Sequence, residues 1–136
     1  MALIVKKFGG TSVGSTEKIM AVAKRILDDK KPGDQIVMVV SAMGDTTDEL
    51  IELAKGITKN PYQYTREMDM LLTTGEQVSI ALLTMAFKSL GQKAISLTGP
   101  MVGMRTNSVH TKGKIIDIKP ERVHREDRCC SGIPGL

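Results

Sequence analysis

A short apolar run, Ala2-Leu3-Ile4-Val5, passes through Lys6, Lys7 and Phe8 into Gly9-Gly10-Thr11-Ser12-Val13-Gly14-Ser15-Thr16, and a helical pattern begins directly afterwards. That order constrains the fold more than any other feature of the chain. A strand emptying into a glycine-rich turn and then a helix is the opening unit of an α/β sheet, and it is also a phosphate cradle. Adjacent glycines let the backbone approach an anion without Cβ hindrance, while free N–H groups and hydroxyls supply donors. Gly9 and Gly14 are separated by four residues and followed by Ser15-Thr16, nearly the G-x4-G-K-[ST] pattern, but no lysine follows the second glycine. The cation, Lys7, precedes the loop instead.

Downstream the pattern repeats. Ile19, Met20, Val22, Ala23, Ile26 and Leu27 recur at helical spacing, with Lys18, Lys24, Arg25, Asp28 and Asp29 on the other side and Ser15 or Thr16 as the cap. After a turn at Lys30 to Asp34, the β-branched run Gln35 to Val40 predicts a strand buried on both faces, ending at a Ser41 loop. Thr46 and Glu49 have capping-box spacing, and Leu50, Leu53, Ala54 and Ile57 continue as a helical stripe. Asn60-Pro61 breaks the chain before a longer helical region from about Tyr62 to Leu90, predicted to bend near Thr73-Thr74-Gly75 and to close at Gly91. Lys93 to Leu97 predicts a third strand and Lys114 to Ile118 a fourth. Alternating strands and helices indicate an α/β sheet with helices on both faces and ligands at the carboxyl ends of the strands. If the first two strands are neighbours, the Gly9-Gly10 and Ser41 loops share one crevice.

The chain's 136 residues suffice for one domain that buries roughly 68% of its unfolded surface. With 3% aromatic residues, the core must be filled by aliphatic side chains and the nine methionines. The net charge of +4 comes from bases mixed with acids, and few aromatic platforms are available for stacking bases, so we expect a basic surface and no nucleic acid partner. Lys6 and Lys7 come too early for a signal peptide, and no apolar stretch reaches the roughly 20 residues that span a bilayer. A cytoplasmic protein with no membrane partner is the expectation. Cys129 and Cys130 have no disulfide, zinc or redox spacing and are expected to be free thiols.

Three segments carry a resemblance. Lys7-Phe8-Gly9-Gly10-Thr11-Ser12 resembles the opening motif of the aspartate kinases in the amino acid kinase family; Ser41-Ala42-Met43-Gly44-Asp45-Thr46-Thr47-Asp48 resembles their second loop, and Thr73-Thr74-Gly75-Glu76 their third. The resemblance runs to about Lys119. It implies a three-layer αβα sandwich of the amino acid kinase type, here about its N-terminal half, with residues 1–120 as that part and 121–136 as a divergent, disordered tail. It further implies ATP, with magnesium delivered by the nucleotide, and L-aspartate as substrate. By the same resemblance Lys7 meets the transferred phosphate, with Phe8, Gly9, Gly10 and Ser41 around the nucleotide. Thr47 and Glu76 bind the amino acid, with Lys7 and Glu76 as the catalytic pair.

Read without the resemblance, these residues have plainer roles. Lys7 would be a strand-end lysine, Ser41 and Thr47 caps, Glu76 a surface acid, and Asp45 and Asp48 partners of the helix dipole. Lys6, pointing away from Lys7, is expected to be the solvated lysine, and Ser79 to be structural. Thr98 to Met104 resembles another family segment, but Met101 stands where glutamine is common and Asn107 where aspartate is frequent, so neither receives a ligand role. His110 and His124 lack partners at metal-ligand spacing and are expected at the surface, and no metal site is assigned. Family members continue beyond this point into an Arg-Gly-Gly-Ser-Asp-Thr-type loop and an adenine pocket. The chain alone is therefore expected to be inactive, as an aspartate kinase fragment or a non-catalytic phosphate- or aspartate-binding half-domain, with a homo-oligomer or a complementary chain as partner.

Overall fold

The computed structural model describes residues 2–130, with side chains to Glu126. Strand β1 (Leu3–Phe8) leads through a 3-10 turn at Gly10–Val13 into helix α1 (Thr16–Asp29), which returns the chain to strand β2 (Gln35–Val40). The two strands pair in parallel from Leu3↔Gln35 to Phe8↔Val40, so they end level with each other. Asp34, buried between the strands' starts, locks this register: its Oδ1 accepts from the Ala2 amide at 2.9 Å, and the Gln35 amide donates to the Ala2 carbonyl at 2.8 Å. Helix α2 (Thr46–Ile57) and the 25-residue α3 (Thr65–Ser89) follow.

Ile19, Val22, Ala23 and Ile26 of α1 form the core with Val40 of β2 and Leu83, Ala86 and Phe87 of α3; Phe8, Ile36 and Met38 pack against them. Alternation along the strands therefore sends Phe8, Ile36 and Met38 toward the helices and Leu3, Val5 and Lys7 the other way. That second face is open. Leu3 and Val5 are more than half exposed and Val39 nearly so, which departs from the expectation of a β2 buried on both faces.

Several local expectations change. Of the two candidate caps it is Ser15 that caps α1, its hydroxyl accepting from the Lys18 amide at 3.3 Å, and Thr16 is already helical. At α2, however, the N-cap is Asp45, with no side-chain capping bond, and Thr46 is already helical, so the capping box does not form. Helix α3 runs unbroken through Thr73-Thr74-Gly75, with both threonine hydroxyls bonding back to the carbonyls of Met70 and Leu71 and Gly75 buried against the second loop. Length and composition would let α3 cross a bilayer, one 18-residue window reaching a mean hydropathy of 1.3, so the expected lack of such a stretch does not hold. The same test is passed by core helices of soluble proteins, and α3 supplies Met68, Leu83, Ala86 and Phe87 to the core.

Along residues 93–97 burial alternates from Lys93 to Ser96, yet they join no ladder and are not a strand. A cavity of about 850 Å³ separates them from β2, which leaves their backbone groups without strand partners. Beyond them, β3 (Met104–Thr106) and β4 (Ile115–Ile118) make a separate antiparallel hairpin. Gly103 closes its base at φ +74, where the Lys119 amide donates to the Gly103 carbonyl. The predicted fourth strand is thus β4, in a second small sheet. The tail predicted to be disordered opens as helix α4 (Glu121–Cys130); its expected continuation over 131–136, and the thiols of Cys129 and Cys130, lie outside the described residues.

Candidate functional site

At the carboxyl ends of β1 and β2 the chain makes two turns that lie against each other. The Ser41 amide donates to the Phe8 carbonyl at 3.2 Å and the Gly44 amide to the Gly10 carbonyl at 3.0 Å. Parallel pairing places the two loops side by side, and the absence of a side chain lets them touch. A Cβ on Gly10 would lie 2.7 Å from the Ala42 carbonyl oxygen and 3.2 Å from that of Gly44, backbone atoms that cannot swing aside. Gly44 itself turns at φ +48, a conformation that costs glycine nothing.

The third motif reaches the same place from above. A Cβ on Gly75 of α3 would come within 2.9 Å of the Ala42 Cβ and 3.6 Å of the Thr46 methyl and of Leu50 Cδ1. Ala42, almost fully buried, is therefore the meeting point of all three predicted motifs. Val13, with no exposed surface, pins the first loop into the core.

Gly9 behaves differently from its neighbour. A Cβ there would meet nothing within 4 Å. The two glycines read alike in sequence, but Gly10 serves the packing of loop on loop while Gly9 borders open space. Phe8 likewise has two parts: its ring packs on the core and its carbonyl holds Ser41.

Among the predicted side chains, Lys7 is exposed and sits one residue before the strand end, on the sheet face away from the helices. Ser41 is half-buried beside Phe8, and Thr47 is exposed in the first turn of α2. Glu76 is exposed on α3 and lines the cavity with Val40, Ile80, Ser96 and Gly99. The loops carrying Gly10, Ser41 and Thr47 and the helix carrying Glu76 are thus brought together. Lys6 corrects the sequence expectation. It is the less exposed of the two lysines and pairs with Asp29 at 3.5 Å, at the end of α1.

Helical periodicity puts Lys18 on the solvated side of α1, where it is exposed; what periodicity does not give is that its ammonium donates to the Thr11 carbonyl at 3.0 Å and so lies on the first loop. Glu17 beside it keeps its carboxyl below the usual range, chiefly through the Ser15 hydroxyl, then its own backbone amide and the Thr16 hydroxyl. Ser79 is fully buried and bonds to the Gly75 carbonyl at 3.3 Å, a structural role as predicted.

The amino acid kinase family matches residues 2–126 of the chain. The chain belongs to the amino acid kinase family. Its sequence is 54% identical over 126 residues to the aspartokinase of Bacillus sp. (strain MGA3), covering 93% of this chain and 30% of that protein. It is 56% identical over 118 residues to aspartokinase 2 of Bacillus subtilis (strain 168), covering 87% of this chain and 28% of that one. A crystal structure of aspartate kinase from Synechocystis superposes with a TM-score of 0.77 at 52% identity, over 92% of this chain and 20% of that chain. The chain thus spans about 30% of the length of the curated relatives it matches. The family match passes Lys119, where the resemblance was expected to stop, and includes the first half of α4.

Proposed function

We propose that this amino acid kinase chain carries the phosphate loop and the amino-acid site of an aspartate kinase, the ATP-dependent transfer of a phosphoryl group to L-aspartate that yields ADP and 4-phospho-L-aspartate. This reaction opens lysine, methionine and threonine biosynthesis. The observation that carries the reading is the convergence on Ala42 of three glycine-bearing segments, since such tight packing fixes the first loop, the second loop and α3 relative to one another. Phosphoryl transfer depends on that kind of fixed positioning, together with positive charge where oxygens become more negative.

In this reading the open space beside Gly9 admits the nucleotide's phosphates, with the backbone of Phe8, Gly9 and Gly10 and the hydroxyl of Ser41 around them. Lys7 supplies the charge. Its four-carbon stem allows it to curl over the strand end toward that space. Magnesium arrives with ATP, held mainly by phosphate and water oxygens. Thr47 binds the amino acid, and Glu76 takes its ammonium group, which separates an α-amino acid from a simple dicarboxylate. The relatives' names support aspartate as the substrate, because the likeness to them covers about nine-tenths of this chain at more than half identity.

The test is binding first and turnover second. Calorimetric titration of the 136-residue chain with L-aspartate should show binding that is lost in Glu76→Gln, and titration with magnesium ATP should show binding that is lost in Lys7→Ala. Coupled ADP release is the second measurement, and where it is seen Lys7→Ala should slow it by about 10²–10³-fold, the loss typical of a preorganised charge. Wild-type affinity for both ligands that neither substitution alters would overturn the reading.

A second reading keeps the sites and moves the chemistry. The open sheet face of Leu3, Val5 and Val39 leaves apolar surface of the kind that partner layers cover, which favours a half-domain that turns over only with a complementary chain. Aspartate binding without ADP release by the chain alone supports this version.

A further inference from the structure

Asp69 lies in the second turn of α3, seven residues before Glu76. At 3.6 residues per turn, Asp69, Thr73, Glu76 and Ile80 fall on one face of the helix, with about 10 Å between Asp69 and Glu76. Thr73, Glu76 and Ile80 line the cavity, whose far wall includes Gly99, Pro100, Val102 and Met104, so the segment entering the β3–β4 hairpin runs along this face. At the hairpin's far end, three polar contacts from the 107–114 loop converge on the Asp69 carboxylate. The Thr111 amide donates to Oδ1 at 3.0 Å and to Oδ2 at 3.1 Å, and His110 Nδ1 lies 2.9 Å from Oδ2.

Apolar burial does little to hold this hairpin. Val109, Ile115, Ile116 and Ile118 are all more than half exposed. Asn107 organises the loop internally, its Oδ1 accepting from the amides of Val109 and Lys114, but does not tie it to α3. Thr111 adopts φ 62, a left-handed conformation unfavourable for a β-branched residue, and that conformation accompanies the amide's bond to Asp69. Strain of this kind persists only where surrounding contacts hold it, and here the Asp69 carboxylate supplies such a contact.

We propose that Asp69 is a positioning residue for the amino-acid site: it clamps the hairpin loop onto the α3 face that carries Glu76 and so holds the wall of the cavity in which the substrate's ammonium group is read. The substrate part of this inference rests on the assignment of Glu76 made above; the clamp does not. The carboxyl of Asp69 is held below its usual range by the Thr111 amide first and His110 second, in keeping with a charged acceptor.

The experiment follows amide exchange and ligand binding in the full 136-residue chain and its Asp69→Ala, Asp69→Asn and Thr111→Gly variants. Loss of a charge-assisted clamp should speed exchange across 107–114 about tenfold in Asp69→Ala, with Ile19 to Ile26 of the core unchanged. Asp69→Asn, which keeps one acceptor, should fall between, and Thr111→Gly, which keeps the amide and relieves the backbone, should stay protected. L-Aspartate affinity should drop about tenfold in Asp69→Ala while magnesium ATP affinity holds, a split that general loosening would not produce. Unchanged exchange in Asp69→Ala overturns the clamp. Faster exchange with unchanged aspartate affinity, or a wild-type chain that takes up no aspartate, overturns the positioning role, and the exchange data then show whether the clamp or the Glu76 assignment failed. If Asp69→Ala does not fold, the Asp69→Asn and Thr111→Gly pair decides the outcome by the same measures.

Discussion

Replacing Gly75 by alanine sets two known effects against each other. Within a helix, alanine is favoured over glycine by about 1 kcal/mol, so at an unhindered site the change stabilises. At Gly75 the new methyl would lie 2.9 Å from the Ala42 Cβ, against about 3.5–4.0 Å for comfortable carbon–carbon contact. Either α3 or the second loop must therefore move by roughly 0.6–1.1 Å. Ala42 cannot absorb that shift alone, because its carbonyl already meets Gly10. Overpacking of this size costs about 1–3 kcal/mol, which leaves Gly75→Ala between about neutral and 2 kcal/mol less stable. Gly56, in the last turn of α2, supplies the control, since a Cβ there meets nothing within 4 Å. Gly56→Ala should gain up to about 1 kcal/mol. In urea titrations Gly75→Ala should thus fall below Gly56→Ala by up to about 3 kcal/mol, with amide shifts at Ser41 to Thr46 moving only in Gly75→Ala. Equal stabilisation by both would mean that α3 and the second loop are not in close contact, and the argument for three fixed segments would fail.

The remaining predictions separate packing from binding. Gly10→Ala should lower stability by about 1–3 kcal/mol in thermal melts, because its Cβ meets backbone oxygen, whereas Gly9→Ala should melt like the wild type and lose affinity for magnesium ATP. Ser15→Ala removes a long, exposed cap of 3.3 Å and should cost about 0.5 kcal/mol in urea titration, the low end of the range for caps. Because the folded-state pKa of Asp69 is depressed, its contribution is present above the ordinary carboxylate pKa of about 4 and lost as pH falls through the lower folded value. Exchange across 107–114 should therefore quicken on acidification below about pH 4, after correction for intrinsic rates, and Asp69→Asn should abolish that dependence.

What could be read from sequence was local or periodic. The bounds of β2, the Ser15 cap, the stripe of α1 and the turn of two loops toward one crevice follow from residue patterns within a few turns of one another. The errors arose where distant parts of the chain decide. Lys93 to Leu97 has strand composition, but a strand exists only with a ladder partner, and β2 lies across the cavity. His110 lies at the surface as expected, but its contact with Asp69, 41 positions away, could not be seen in any local pattern. Lys6 looked solvated because alternation gives the face on which a side chain lies, not that Asp29 waits at the end of α1. Glutamate and threonine at the third motif suggested chemistry, while the glycine between them proved to be the residue that docks the helix.

The glycines also bear on what a motif means in such a fold. Gly9, Gly10 and Gly75 look equivalent as small residues near a ligand, yet space beside their Cα atoms is open at the first and filled by other backbone or buried side chains at the other two. Selection for binding alone would demand small residues only where a ligand approaches. Gly10 and Gly75 are instead demanded by assembly, because any side chain would push apart the segments that meet at Ala42. Under the proposed function, losing the first should impair binding directly, and losing either of the others should impair it by moving Ala42. The two kinds of loss are distinguishable, since only the second is accompanied by a fall in stability.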